Sequence, residues 1–353
     1  MSSINTARMV SVTAMTYDPG GRLEHGGDLA TARRLFPGAP QPFIDLSTGI
    51  NPHPYPLPPL GANVFAQLPD SAAQLRLSAI AAQTYGAPSA AHVVCAPGTQ
   101  LLLPLVARLV PAGRAVILGP TYSEHVRAAA HAGHAVLDAR NVQDLHGADL
   151  AVVVNPNNPD GRIIGKEELL ALSDDLNVRG GLLLVDEAFM DVGPPEASLA
   201  GEIDRGNIIL LRSFGKFFGL AGLRLGFALA APALATKLNA SLGPWAVSSP
   251  AIAIAEQALA DTTWIGVTRT RLASAAKKLD QLLADAAIHV IGGTSLFRLA
   301  RTPRANALFQ HLGANGIIVR HFREHPTWLR FGIPGEPHWD RLGLALAPRH
   351  LAT

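Results

Sequence analysis

The sequence predicts an α/β fold: a large domain built on a mostly parallel sheet, followed by a small α+β domain. Between about residues 71 and 230, apolar runs of strand length alternate with stretches of helical periodicity. This alternation is typical of a parallel sheet with helices on both faces. After Pro250 the pattern changes to a long helical region and then short apolar strands, which indicates a smaller domain of a different kind.

The individual elements are predicted from these apolar runs. The strands predicted for the large sheet are residues 92–96, 115–118, 151–154, 182–185 and 208–211. The small domain is predicted to contain helical residues 250–287, strands 289–291, 296–299 and 317–319, and a helix over 303–313. We expect residues 61–245 to form the large domain and 246–353 the small one, with residues 1–60 supplying an N-terminal arm and part of the small domain.

Composition excludes several classes of function. The formal net charge is +2 without any basic block, so no nucleic-acid partner is predicted. Cys95 is the only cysteine, which excludes an intrachain disulfide and fits a reducing, cytoplasmic compartment. No signal peptide or membrane span is predicted. His131 with His134, and His321 with His325, lack the partners of a zinc motif; we expect solvated histidines and no metal.

Lys216 lies in the glycine-rich segment 213–226, just after the apolar run 208–211. A lysine at the end of a buried strand is costly unless its amine is used, and burial lowers a lysine's pKa and makes it nucleophilic toward aldehydes. Ser213 and Arg224 add a hydroxyl and a guanidinium that suit a phosphate. The segment predicts a lysine that forms a Schiff base with pyridoxal phosphate (PLP), although by itself it also fits a surface lysine in a flexible loop.

Two upstream motifs carry polar side chains at strand ends. Asp186 ends the apolar run 182–185, where a buried carboxylate would keep a pyridine nitrogen protonated. Asn158 belongs to the turn 155–161, rich in Asn, Pro and Gly, and its amide would suit a ring oxygen. Each motif alone also fits an ordinary cap or turn. All three motifs in this order and spacing point to a PLP site.

These motifs resemble fold-type I, aspartate-aminotransferase-like PLP-dependent enzymes, and within them the branch of histidinol-phosphate aminotransferases and threonine-phosphate decarboxylases. The resemblance runs from about His25 to the C-terminus and implies a seven-stranded-type sheet and a homodimer. It implies that Lys216 forms the Schiff base and that the other cofactor contacts are a phosphate cup at Gly98, Thr99 and Gln100, phosphate ligands Ser213 and Arg224, and ring contacts Tyr122, Asn158 and Asp186.

Segments near both ends of the chain resemble the decarboxylases of cobalamin biosynthesis. They are residues 25–28, 44–52 and 328–335. Phe189 agrees with this, because the aminotransferases of the branch usually carry tyrosine there. Two residues depart from the wider pattern: Gly215 replaces a frequent Ser or Thr, and Leu68 replaces a tyrosine that reaches the partner subunit's cofactor.

Substrate contacts are also implied by the resemblance. Arg330 matches the carboxylate-binding arginine of the family, and a guanidinium fork suits a carboxylate. Arg320 matches a second arginine that would bind the substrate phosphate. Further candidates for phosphate contacts are His25, Ser47, Thr48 and Asn51. The same residues also fit surface charge and ordinary turns.

The implied activity is decarboxylation of L-threonine O-3-phosphate to aminopropanol phosphate. Two alternatives remain open at this point: transamination of histidinol phosphate or a similar amine, and decarboxylation of L-serine O-phosphate, which lacks only one methyl group. A PLP-binding regulator without turnover is disfavoured, because no DNA-binding segment is visible. The partner expected is a phosphorylated amino acid.

Overall fold

A computed structural model describes residues 8–9 and 26–347 of the chain. The described residues divide into two compact units. The first unit contains residues 8–9, Tyr55–Asn158 and Arg162–Thr263; the second contains residues 26–54, Pro159–Gly161 and 264–347.

Strands and helices alternate along much of the described chain. The strands are β1 (Arg8–Met9), β2 (Ile44–Leu46), β3 (Val93–Ala96), β4 (Arg114–Leu118), β5 (Ala135–Ala139), β6 (Leu150–Val154), β7 (Leu182–Asp186), β8 (Ile208–Ser213), β9 (Gly226–Ala230), β10 (His289–Thr294), β11 (Phe297–Arg301), β12 (Ile317–His321) and β13 (Trp328–Gly332). The helices are α1 (Leu29–Leu35), α2 (Ala62–Ala66), α3 (Ser71–Tyr85), α4 (Thr99–Ala107), α5 (Glu124–His131), α6 (Lys166–Asn177), α7 (Phe214–Phe217), α8 (Pro232–Leu242), α9 (Ser249–Ala260), α10 (Thr262–Asp285), α11 (Ala305–Ala314) and α12 (Trp339–Leu346).

The first unit is built on a sheet with the order β1-β5-β4-β6-β7-β8-β9-β3 in the described part of the chain. Strands β5, β4, β6, β7 and β8 are parallel neighbours, whereas β9 runs antiparallel to both β8 and β3. The predicted α/β class with a mostly parallel sheet is confirmed. Strands β6 and β7 are fully buried, which explains the apolar sequences of β6 and of residues 182–185 in β7.

One face of this sheet packs against helices α4, α5 and α8. Its core includes Leu102 of α4, Leu184 of β7 and Leu211 of β8. Because side chains alternate along a strand, Asp186 and Ser213 lie on this same face, which we call the α4 face. Arg212 lies on the opposite face.

The second unit contains a sheet with the order β10-β11-β13-β12-β2 among residues 26–347. Strand β2 pairs in parallel with β12, while the other neighbours are antiparallel. Helices α10, α11 and α12 contribute Leu279, Leu312 and Leu342 to its core.

The structure differs from the sequence-based expectation at two strands, one helical region and one histidine. Strands β5 and β9 were not predicted, because short alanine-rich segments carry a weak strand signal. The helical region predicted over 250–287 is broken into α9 and α10 at Asp261, whose backbone is not helical. His134 was expected to be solvated but is buried, because its ring bonds to the Gly113 amide and the Ala107 carbonyl. Over the described ranges, no helix combines the length and the apolar character required to cross a membrane.

Candidate active site

The candidate cofactor residues gather at one edge of the large sheet. Strands β3, β4, β6, β7 and β8 all run in the same direction, so the segments that follow them emerge together. These segments carry the residues predicted from the sequence: Gly98, Thr99 and Gln100 after β3, Tyr122 after β4, Asn158 after β6, Asp186 at the end of β7, and Ser213 and Lys216 at the end of β8 and in α7.

An anion cradle is formed where α4 begins. Gly98 precedes α4 with a φ of +88°, and a Cβ placed on it would lie 2.6 Å from Arg224 Nη2. A Cβ on Gly226 would lie 2.6 Å from the Thr99 amide nitrogen. Gly226 also pairs with both Ser213 and Ala96, so the hydroxyl, the guanidinium and the helix start share one place. A helix N-terminus beside a guanidinium fits a phosphate.

Asp186 is buried and held by two contacts. Its Oδ1 accepts a hydrogen bond from the Ala188 amide at 3.0 Å, and its Oδ2 lies 2.9 Å from His125 Nε2. His125 is itself buried on α5 and packs edge-on against Tyr122. Sequence reasoning missed His125; its signal was its position in the segment after β4, three residues beyond the candidate Tyr122.

Lys216 occupies the short helix α7 and is half-buried. Its Nζ lies 5.8 Å from the centre of the buried Phe189 ring. Gly215 has a physical reason: a Cβ there would lie 2.7 Å from the Ala221 Cα, a backbone atom that cannot turn aside. The Ser or Thr of relatives therefore does not fit this backbone without a shift.

Hydrogen bonds among neighbouring side chains orient the Tyr122 ring. The Tyr122 hydroxyl donates to Gln100 Oε1 at 3.1 Å, and Gln100 Nε2 donates to Glu124 at 2.9 Å. The side-chain amide of Gln100 therefore orients Tyr122, and only the backbone N–H of Gln100 is assigned to an anion. The turn after β6 is fixed in a similar way, because Asn157 accepts from the Thr121 hydroxyl at 2.7 Å.

In the second unit, two arginines lie side by side. Arg320 of β12 pairs in register with Arg330 of β13. Arg330 is buried, and its Nη2 donates to the Ser47 carbonyl at 2.8 Å. Burial and the neighbouring Arg320 hold the pKa of Arg330 below its usual range, with Asp45 acting in the opposite direction. An anion bound beside these arginines would relieve that unfavourable charge.

Ser47, the partner of Arg330, is one of the other substrate candidates in the second unit. The Ser47 hydroxyl donates to Asp45 Oδ1 at 2.5 Å and accepts from the Gly27 amide at 2.9 Å, so it orders the local backbone. Asn51 accepts from the His53 amide at 2.9 Å. Thr48 and Asn51 line a cavity of about 480 Å³. His25 lies outside the described residues, and its predicted role stays a prediction.

The His125 contact gives a testable prediction. Replacing His125 by leucine leaves the buried Asp186 Oδ2 without this partner, which should cost about 1–3 kcal/mol of unfolding free energy. We also expect weaker PLP binding, because the carboxylate loses the group that orients it. Urea denaturation and a PLP titration measure both effects. His131→Gln on the exposed turn of the same helix is the control; equal effects of the two substitutions would contradict the prediction.

At this sheet edge the cradle fits the phosphate of PLP, Lys216 fits its aldehyde, and the buried Asp186 fits its pyridine nitrogen. This arrangement is that of an α/β enzyme that uses PLP. The chain belongs to the aminotransferase class I and II family, whose model matches residues 63–338.

Several proteins of known name resemble this chain over most of its length. The chain is 42% identical to the threonine-phosphate decarboxylase of Pseudomonas aeruginosa over 328 residues, which cover 92% of this chain and 97% of that protein. It is 43% identical to a threonine-phosphate decarboxylase of Sinorhizobium sp, with 93% and 98% covered. Histidinol-phosphate aminotransferase of Sinorhizobium meliloti in complex with pyridoxal-5'-phosphate shares the fold, with a TM-score of 0.79, 22% identity, and 97% and 98% covered.

Proposed function

We propose that this chain is a PLP-dependent carboxy-lyase that converts L-threonine O-3-phosphate to (R)-1-aminopropan-2-ol O-phosphate and carbon dioxide, for the nucleotide loop of cobalamin. The observation that carries the proposal is the pair Arg320 and Arg330. Two adjacent guanidiniums, one of them buried, suit a substrate with two anionic groups. The names of the relatives at 42% and 43% identity select the phosphorylated amino acid.

The residues at the sheet edge would hold the cofactor. Its phosphate suits the cradle of Gly98, Thr99, Gln100, Ser213 and Arg224, and its ring suits Tyr122, Asn158 and Asp186. When bound through Lys216, PLP supplies an electron sink for charge that develops at the substrate Cα. Asp186, oriented by His125, holds a proton at the pyridine nitrogen.

The remaining side chains act on the substrate. Arg330 binds the carboxylate and Arg320 the phosphate, which together determine the bond at Cα that is aligned for cleavage. Lys216 Nζ delivers a proton to Cα after carbon dioxide leaves. Phe189 brings no hydroxyl to the neighbourhood of Lys216 Nζ, unlike the tyrosine of the related aminotransferases.

The deciding experiment mixes the purified protein and PLP with L-threonine O-3-phosphate and measures carbon dioxide and aminopropanol phosphate by mass spectrometry. Parallel reactions contain L-serine O-phosphate, or histidinol phosphate with 2-oxoglutarate. Release of carbon dioxide without any keto acid is the expected result. Glutamate formation without carbon dioxide would make the chain an aminotransferase.

We further propose a cytoplasmic homodimer. Leu57, Phe65, Leu68 and Leu75 each expose between 63% and 68% of their surface, over a short stretch of the first unit. Large apolar side chains this exposed, and this close in the chain, suit an interface between copies.

Phe65→Asp tests the dimer, because a carboxylate within an apolar interface is costly to desolvate. We expect the mass by light scattering to fall from that of a dimer toward that of a monomer. Val178→Asp is the matched control, since Val178 is 88% exposed but lies on another part of the first unit, just after α6. A native dimer that both variants retain would contradict the assignment of this surface.

A further inference from the structure

A cluster of charged side chains is buried beneath the sheet edge, and the proposed chemistry does not use it. We call it the arginine cluster; it consists of Arg212, Glu187, Asp191 and Tyr85. Arg212 Nη1 donates to Glu187 at 3.0 Å, and Nη2 donates to Asp191 at 2.8 Å. The Arg212 guanidinium carbon lies 4.4 Å from the centre of the Tyr85 ring. All four side chains are buried.

Glu187 has partners beyond Arg212, whereas the buried Arg212 Nε and the Tyr85 hydroxyl have no hydrogen-bond partner among the described residues. Glu187 also accepts from the Ser198 hydroxyl at 2.8 Å and from the Leu199 amide at 3.1 Å. Burial raises the pKa of Glu187, and Arg212 opposes that shift. Burial alone would lower the pKa of Arg212, but Asp191 and Glu187 outweigh it and raise the pKa.

Its place in the fold connects it with the cofactor residues. Arg212 directly precedes Ser213 on β8, and Glu187 directly follows Asp186 at the end of β7. The backbone also joins these two ends, because the Glu187 amide donates to the Leu211 carbonyl at 2.9 Å. The cluster therefore clamps β7 and β8 together, directly behind the residues on the α4 face.

Stability alone does not explain these charges. A buried ion pair often contributes no more to stability than apolar side chains of the same volume. The rest of β7 and β8 is apolar, and charged residues appear only at the last layer, where Asp186 and Ser213 lie. A guanidinium fork on β8 that bonds two carboxylates of the segment after β7 restricts β8 and that segment to one spacing.

We propose that Arg212 is a positioning residue: held between Glu187 and Asp191, it fixes the spacing between Asp186 and the segment from Ser213 to Lys216. The inference rests on the proposed function, because it assigns the cluster a role in binding PLP. A displacement of about 1 Å at such a site can change affinity or rate by orders of magnitude.

The test removes the charges and keeps similar side-chain volumes. The triple variant Arg212→Met/Glu187→Gln/Asp191→Asn leaves no unpaired buried charge, so it should fold, with a urea midpoint lowered by the loss of the two guanidinium hydrogen bonds. We expect its dissociation constant for PLP to rise at least about tenfold, with a changed absorption spectrum of the bound cofactor. If the triple variant does not fold, Arg212→Lys replaces it: one ammonium cannot span both carboxylates, and the same rise is expected.

The matched control lies at the other end of the same strand. Ser173 and Asn207 form a buried hydrogen bond of 2.8 Å, just before β8 begins. Ser173→Ala/Asn207→Ala should lower the urea midpoint without changing the affinity for PLP.

The outcomes separate the two proposals. A folded triple variant, or Arg212→Lys, that binds PLP within about twofold of the native affinity and with the native spectrum would overturn the positioning role while leaving the proposed function intact. A native protein that binds no PLP would overturn both.

Discussion

Replacing Lys216 by alanine is expected to abolish carbon dioxide release from L-threonine O-3-phosphate, with a rate loss of about 10³-fold or more. The reason is twofold. Lys216 is the amine proposed to bind the aldehyde carbon of PLP, and it is also the group proposed to return a proton to Cα. Lys216 is half-buried beside Phe189, and neither role is assigned to any other described lysine.

The measurement has two parts. Carbon dioxide is assayed by mass spectrometry, and the protein is treated with PLP and borohydride before peptide mapping. The native protein should carry the reduced cofactor on the peptide with Lys216, and the variant should carry none there. Lys237→Ala, on an exposed position of α8, is the control. A covalent adduct of undiminished yield in the Lys216 variant would show that the lysine was assigned wrongly.

Replacing Arg330 by methionine is expected to reduce kcat/KM by about 10²- to 10³-fold, which corresponds to about 3–4 kcal/mol. Arg330 is proposed to bind the substrate carboxylate, and methionine fills a similar volume without the charge. The affinity for PLP should not change, because Arg330 belongs to the second unit and no cofactor contact is assigned to it.

The stability of this variant is informative as well. Methionine removes a buried charge that burial and Arg320 disfavour, but it also removes the donor of the Ser47 carbonyl, so the two effects on the melting temperature should largely offset each other. Arg301→Met, at an exposed position of the adjacent strand β11, is the matched control. A native kcat/KM in the Arg330 variant would mean that another group binds the carboxylate.

Local signals account for the parts of the fold that the sequence predicted. The strands β6, β7 and β8 are buried on both faces, so each contains an apolar run of strand length that can be recognised without knowing its neighbours. Strand β9 was missed because alanine and glycine have weak preferences, and its place is decided by pairing with β8 and β3.

In the candidate site, too, some residues could be predicted from local sequence and others only from the packing of distant elements. Lys216, Asp186 and Asn158 each follow a recognisable strand, and parallel strands bring their ends to one edge. His125 was not predicted as the partner of Asp186, because the two residues are 61 positions apart and only the packing of α5 on the α4 face joins them. Roles for the paired arginines came from resemblance, and their adjacency came from the register of β12 and β13.

By itself, the sequence determined the fold class and the main strands in their order along the chain, because both depend on the spacing of apolar residues. It also determined the motifs at the strand ends, because short glycine-rich and asparagine-rich segments mark them. Only the tertiary structure decided which charges share a buried space. Arg212 looks like an ordinary polar residue at a strand end until β7 and β8 pair and bring Glu187 and Asp191 to its guanidinium. The physical reason is that a buried charge is stable only with partners, and those partners are brought together by the fold.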